Sequence, residues 1–244
     1  MAKVKRADLV DFISAHIQDF HKRKLRSLLK LRLKNILERK NPYLFKAKAL
    51  NTAQDLVKPL LDAHLSSQEE GIFGHFLEDL ARFICARAYG GGKSSAEGVD
   101  LEFNRDGIRY IVSIKSGPNW GNNSQIARMK TNFTKAKKIL GTSTSMTKVL
   151  AVNGCCYGKD DNPDKGEYLK YCGQTFWEFI SGDKNLYTKI IEPLGHKAKE
   201  INEEFSLEYA KVVNKFTIEF AREYCAKDGS IMWNKLVKFN SGKT

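Results

Sequence analysis

Apolar residues recur at helical spacing from the start of the chain. Leu9, Phe12, Ile13, Ile17 and Phe20 form one stripe, and Leu25, Leu28, Leu29, Leu33, Ile36 and Leu37 form a second. The pattern predicts one or two helices over residues 4–39, ended by Asn41-Pro42. A shorter helix is expected over 52–64. Ser66-Ser67-Gln68-Glu69 then reads as a fresh helix start, with Ser66 as N-cap and Glu69 three residues on. That helix should reach Tyr89 on an apolar stripe of Phe73, Phe76, Leu77, Leu80, Ile84 and Cys85. Gly71 is a potential break within it, and Gly90-Gly91-Gly92 ends it.

Two strand-like segments follow, 99–103 and 108–115, joined by Asn104-Arg105-Asp106-Gly107. Asp-Gly at the centre favours a type I′ hairpin turn. A loop rich in Gly, Pro and Asn covers 117–123, a basic helix 125–140, an apolar strand 148–153 and a polar loop 158–166. A short helix is expected over 175–180, and helical pattern again from Asn185 to about Ala226, broken at Pro193. The order is helices, then helix–strand–strand–helix–strand, then helices. This predicts an α/β core inside a helical shell.

Charge narrows the choice of partner. The 244 residues carry 41 basic and 28 acidic side chains, a net charge of +13. Such a surplus points to a polyanion, either nucleic acid or a membrane surface. Residues 22–34 alone hold Lys22, Arg23, Lys24, Arg26, Lys30, Arg32 and Lys34 with no acid among them. They form either a solvated face or a phosphate-contacting one. No apolar run is long enough for a transmembrane helix. The basic start is interrupted by Asp8, Asp11 and His16 and lacks the apolar core of a signal peptide. Five cysteines (85, 155, 156, 172 and 225) show no metal-ligand spacing, and with no secretion signal their odd count favours a reduced, cytoplasmic protein. The five histidines (16, 21, 64, 75 and 196) form no recognisable ligand set.

The chemistry concentrates at the hairpin. With Asp106-Gly107 as the two central turn residues, cross-strand partners sum to 213, so Asp100 lies opposite Ser113. Side chains alternate, so Asp100, Ser113 and Lys115 share one face. Lys115 ends an apolar strand, Tyr110-Ile111-Val112-Ser113-Ile114, where a lysine is costly without a partner. One partner is an ordinary ion pair with Asp100. The other is chemistry. Phosphodiester hydrolysis needs an activated water and a cation held by carboxylates, and a lysine can orient or deprotonate the water.

Val99-Asp100 and Val112-Ser113-Ile114-Lys115 on a hairpin, after a helix carrying Glu78, resemble the PD-(D/E)XK nuclease superfamily. The resemblance extends to Asn41-Pro42-Tyr43, Gly71-Ile72-Phe73-Gly74, Lys115-Ser116-Gly117 and Gly173-Gln174-Thr175-Phe176-Trp177. This wider set, over residues 41–180, is similar to type II restriction endonucleases with a helical N-terminal part, a group that includes GGNCC-cutting enzymes. It implies a small mixed sheet flanked by helices, with helical N- and C-terminal extensions. It also implies Mg²⁺-dependent cleavage of double-stranded DNA by a homodimer. Asp100 and the Ile114 carbonyl would hold the metal, and Lys115 would act on water. The family pattern has a proline at 99 and a carboxylate at 113; here stand Val99 and Ser113. A hydroxyl is the poorer ligand, so another acid must replace it: Glu78 first, then Glu102, then Glu97.

The basic run and the overall charge make Lys22, Arg23, Lys24 and Arg26 on the first helical segment the expected phosphate contacts. Asn119, Trp120 and Asn122 in the loop, and Gln125 and Arg128 at the start of the basic helix, complete the set. Trp120 is either a base or backbone contact or a packed turn residue, and Gln125 either a motif residue or a plain helix start. Three regions are expected: a helical DNA-binding or dimerisation part over 1–65, a catalytic core over 66–183 and a C-terminal extension over 184–244. Phe205, Tyr209, Val212, Val213, Phe216 and Phe220 either form the dimer interface or pack on the core. A resolvase or repair nuclease, and a non-catalytic DNA-binding protein kept in play by Ser113, are the alternatives.

Overall fold

The computed structural model describes residues 4–142, 148–195 and 198–243. In chain order the elements are α1 (Arg6–Leu29), α2 (Leu33–Arg39), α3 (Pro42–Ala47), α4 (Ala53–Tyr89), β1 (Leu101–Arg105) and β2 (Ile108–Lys115). Then come α5 (Asn123–Thr142), β3 (Lys148–Cys155), β4 (Leu169–Cys172), α6 (Gln174–Ser181), α7 (Leu186–Lys189) and α8 (Ile191–Leu194). The chain closes with α9 (Ala198–Tyr224) and α10 (Trp233–Ser241). They group into two compact units, one from residues 4–18 and 73–195, the other from residues 19–72 and 198–243.

The first unit is built on a four-stranded sheet ordered β1-β2-β3-β4. β1 and β2 are antiparallel, whereas β2–β3 and β3–β4 are parallel. This is the α/β core expected, a small mixed sheet flanked by helices. β2 lies inside the sheet, and Tyr110 to Ile114 are all buried, which is why its sequence is continuously apolar instead of alternating. On one face Tyr110, Val112 and Ile114 pack with Leu77, Leu80 and Ile84 of α4 and Phe176, Phe179 and Ile180 of α6. On the other, Ile111 and Ala151 pack with Met129, Phe133 and Ala136 of α5.

The second unit is helical. Leu28, Leu33, Ile36, Leu56, Leu61, Phe216 and Phe220 share its core. The Asn240 amide donates to the carbonyls of Leu37 and Lys40, closing the C-terminal end of α2. Val213, Phe216 and Phe220 are buried here, so these aromatic and aliphatic residues of α9 pack within the chain.

Several expectations are corrected. Asn41-Pro42 does not only stop a helix; it starts one. The Asn41 side chain accepts from the Tyr43 and Leu44 N–H groups, and Pro42 takes the first helical position, where its missing N–H costs nothing. Ser66 is not an N-cap, because α4 is a single helix of 37 residues that absorbs Pro59 and Gly71. Its cap is Thr52, which accepts from the Asp55 N–H, and the Ser67 hydroxyl instead donates back to the Ala63 carbonyl. The helix ends at Gly90, at φ 68°, with the Gly91 N–H returning to the Cys85 carbonyl. β4 was not expected. It is four residues long, contains Lys170, and gives no periodic signal of its own.

Candidate active site

The hairpin forms in the expected register. Asp106 and Gly107 both have positive φ, 53° and 74°, as a type I′ turn requires. Leu101 pairs with Val112, and the Asp100 N–H donates to the Val112 carbonyl at 2.9 Å, so Asp100 stands opposite Ser113. The Asp100 side chain then takes over the ladder. Its carboxylate accepts from the Ile114 N–H at 2.7 Å and from the Ser113 hydroxyl at 3.4 Å. The backbone before it is tightly specified. Gly98 has φ 73°, and a Cβ there would meet the Asn132 amide at 2.1 Å, so a side chain at 98 would push away the segment that presents Asp100.

Lys115 ends β2 on the same face. Among the described residues no carboxylate lies within ion-pair distance of it, so the ordinary ion pair with Asp100 does not form. Its ammonium lies 5.0 Å from the centroid of the Trp120 ring. Trp120 is half-buried, and its indole N–H donates to the Asn153 side-chain carbonyl at 3.0 Å. Asn153, on β3 beside Ser113, is buried and was read only as the end of an apolar strand. A lone amide closing such a strand was the available signal.

Glu78 is the acid that couples to Asp100. Burial first, and the Asp100 charge second, raise the Glu78 carboxyl above its ordinary range. Arg82 opposes this through a 2.7 Å ion pair with Glu78, and it also pairs with Asp79. Burial works against the Arg82 charge, but the hydrogen bond to Asp79 and the charges of Glu78, Asp79 and Asp100 raise its pKa on balance. The other two candidate acids are engaged elsewhere. Glu102 pairs with Arg109 at 2.9 Å and accepts from the Ser94 hydroxyl at 2.8 Å. Glu97 is exposed and meets Arg128 at 3.5 Å.

The residues after the loop are placed differently. Asn122 and Gln125 cap α5 reciprocally: the Asn122 side chain accepts from the Gln125 N–H, and the Gln125 side chain from the Asn122 N–H, both at 3.0 Å. Asn119 is exposed. In the helical unit, Lys24 pairs with Glu69 at 3.0 Å and lies over the Phe205 ring, while Arg23 pairs with Asp19. Lys22 and Arg26 are exposed. The histidine at 196 lies outside the described residues. Among the described residues no group of three or more His, Cys, Asp or Glu side chains is arranged to hold a metal ion, and no helix is long and apolar enough to cross a membrane.

No curated protein sequence matches the chain. Residues 7–202, well over half of the 244, match the family described as type II restriction endonuclease EcoO109I. This match spans the hairpin, the α4 acids and the Lys115 loop together, and it sets the non-catalytic alternative aside. The chain belongs to the EcoO109I family of type II restriction endonucleases, site-specific deoxyribonucleases that cleave DNA.

Proposed function

We propose that this endonuclease is a Mg²⁺-dependent enzyme of the PD-(D/E)XK kind, with Asp100 and Glu78 as metal-holding carboxylates and Lys115 as the residue acting on water. The observation that supports it most is the hairpin geometry, which sets Asp100 opposite Ser113, its carboxylate held by the Ile114 N–H at 2.7 Å, on the strand that ends in Lys115; the Asp100 charge also acts on Glu78. A Glu78 carboxylate whose charge is disfavoured by burial and by Asp100, together with Asp100 itself, would form a seat for a cation. The donors are oxygens only, which suits Mg²⁺; it takes one or two carboxylates and completes its shell with water and phosphate oxygens. The Ile114 carbonyl fits the set, because in an extended strand it points to the same edge as its N–H, which donates to Asp100. When bound, the metal supplies Lewis-acid stabilisation of charge on the phosphate. Asp100 is fixed by the Ile114 N–H, so its orientation needs no reorganisation during the reaction. Lys115 has no carboxylate partner among the described residues. It therefore stabilises phosphate charge and orients the attacking water. Ser113 donates to Asp100 and holds no metal charge of its own.

Digestion of a mixed plasmid set with and without Mg²⁺, followed by sequencing of the ends, tests the reading. Fixed fragments cut at one sequence, lost on chelation, are expected. Cutting that persists in chelator, or ends at random positions, overturns it.

Cleavage of both strands of a palindrome by identical subunits requires two-fold symmetry, so a homodimer is expected. Sedimentation at micromolar protein with cleavable DNA checks this; a monomer throughout is the contrary result.

The basic α1 segment is proposed to run along phosphates. Lys24 is committed to Glu69, so the contacts fall to Lys22, Arg26 and Lys30, which are exposed and make no ion pair among the described residues. Replacing these three with Gln is expected to make the log–log salt dependence of DNA binding shallower by about 2.7, at roughly 0.9 per lost contact. Cognate and non-cognate DNA should be affected alike, because phosphates carry no sequence. An unchanged slope in a binding titration across salt would leave the segment as a solvated face.

A further inference from the structure

Asn153 is 1 % exposed in the middle of the sheet, where an apolar residue would serve packing as well. Both ends of its amide are used. The Nδ2 group donates to the Ser113 carbonyl at 3.2 Å, and Oδ1 accepts the Trp120 indole N–H at 3.0 Å. The first bond ties Asn153 to the strand that carries Lys115. The second fixes a ring that arrives from the loop just after it. That ring packs against the apolar cluster that contains Val99, Ile111, Met129 and Ala151, and Lys115 lies over it. A lysine side chain has four rotatable carbons, and this one has no carboxylate to hold it among the described residues. The indole is the rigid surface that limits where its ammonium can go, and the attraction between cation and ring favours that arrangement.

We propose that Trp120 is a positioning residue for Lys115, anchored by the buried Asn153, and that its part in DNA cleavage is to aim the lysine and not to read a base. The proposal rests on the reading of Lys115 as the residue that acts on water. The chain of contacts runs from a buried amide, through an indole N–H, to a ring face and then to the ammonium. Each link is directional, so an error at the first is passed to the last. Misplacement of a reacting group by about 1 Å can cost roughly 100-fold in rate.

The test uses the full chain with Mg²⁺ and a plasmid carrying the mapped cut site. It compares single-turnover cleavage at saturating enzyme with DNA affinity in metal-free buffer. Trp120→Leu is expected to slow the saturated rate by roughly 10- to 100-fold while leaving metal-free affinity within about twofold. Trp120→Phe keeps a ring face and should recover most of the loss. Asn153→Leu leaves the indole but removes its anchor, and it should fall between the two. It also stands in for Trp120→Leu if that variant does not fold. An unchanged saturated rate in Trp120→Leu or Asn153→Leu overturns the proposal. So does a loss confined to affinity, which would make Trp120 a DNA contact. Full activity in Lys115→Ala would instead overturn the reading of Lys115, whatever Trp120 does.

Discussion

Asp100→Ala and Lys115→Ala each reduce the cleavage rate by on the order of a thousandfold or more, while specific DNA binding remains measurable. The size follows from what each removes. Asp100 is held in the proposed site through the Ile114 N–H at 2.7 Å. Its loss takes away charge from the cation seat together with its orientation. Lys115 is a positive charge with no carboxylate partner among the described residues, so nothing nearby substitutes for it. The two variants should differ in binding. Asp100→Ala removes a negative charge that the proposed mechanism sets against phosphate, so metal-free affinity should rise, whereas Lys115→Ala should leave it level or lower it. Plasmid cleavage under single turnover, with metal-free binding alongside, checks both. Full activity in either variant removes the proposed site.

Glu78→Gln should lower cleavage by roughly a hundredfold, at the scale of a lost charge-stabilising group, and Glu102→Gln by far less. Both acids have an arginine partner, Arg109 for Glu102 and Arg82 for Glu78, but only Glu78 also feels the Asp100 charge, while Glu102 accepts a further hydrogen bond from Ser94. A second readout separates this from simple damage to the fold. Burial and Asp100 raise the folded Glu78 carboxyl above its ordinary 4.5, so protonation favours the folded state. That contribution is complete below the ordinary value and disappears as pH rises through the raised one. At neutral pH the charge on Glu78 is therefore a net cost to the metal-free protein. Glu78→Gln should melt at a higher temperature than the parent in chelator near pH 7, with the difference closing as pH falls into the ordinary carboxylate range. Equal melting at pH 7 would mean that Arg82 fully compensates the charge. Greater sensitivity of cleavage at Glu102 would move the missing acid to the hairpin.

The hairpin was legible because its information is local. A two-residue turn with Asp-Gly fixes the register, and the register places Asp100, Ser113 and Lys115 without reference to the rest of the chain. The long helix was misdivided because Ser66 and Glu69 imitate a cap, while the tertiary packing of Leu60, Leu61, Leu65 and Phe76 carries the helix through. β4 takes its place in the sheet as a parallel partner of β3, a non-local fact. Glu78 could be nominated from its helix, but its coupling to Asp100 depends on how α4 meets the sheet. Arg82 and Asn153 were overlooked for the same reason. An arginine one helical turn from an acid, or an asparagine ending a strand, acquires meaning only from what folding sets beside it.

The turn at Asp106-Gly107 also acts as a ruler. It touches neither metal nor DNA in the proposed mechanism, yet the number of residues in it decides which side of the sheet Asp100 occupies. One residue added or removed there would shift the pairing by one and turn Asp100 away from Ser113 and Lys115. Such a chain would keep the full roster of its reactive residues and lose the address at which they meet. An inventory of active-site residues would pass it as competent, although its fault lay in the spacing between them.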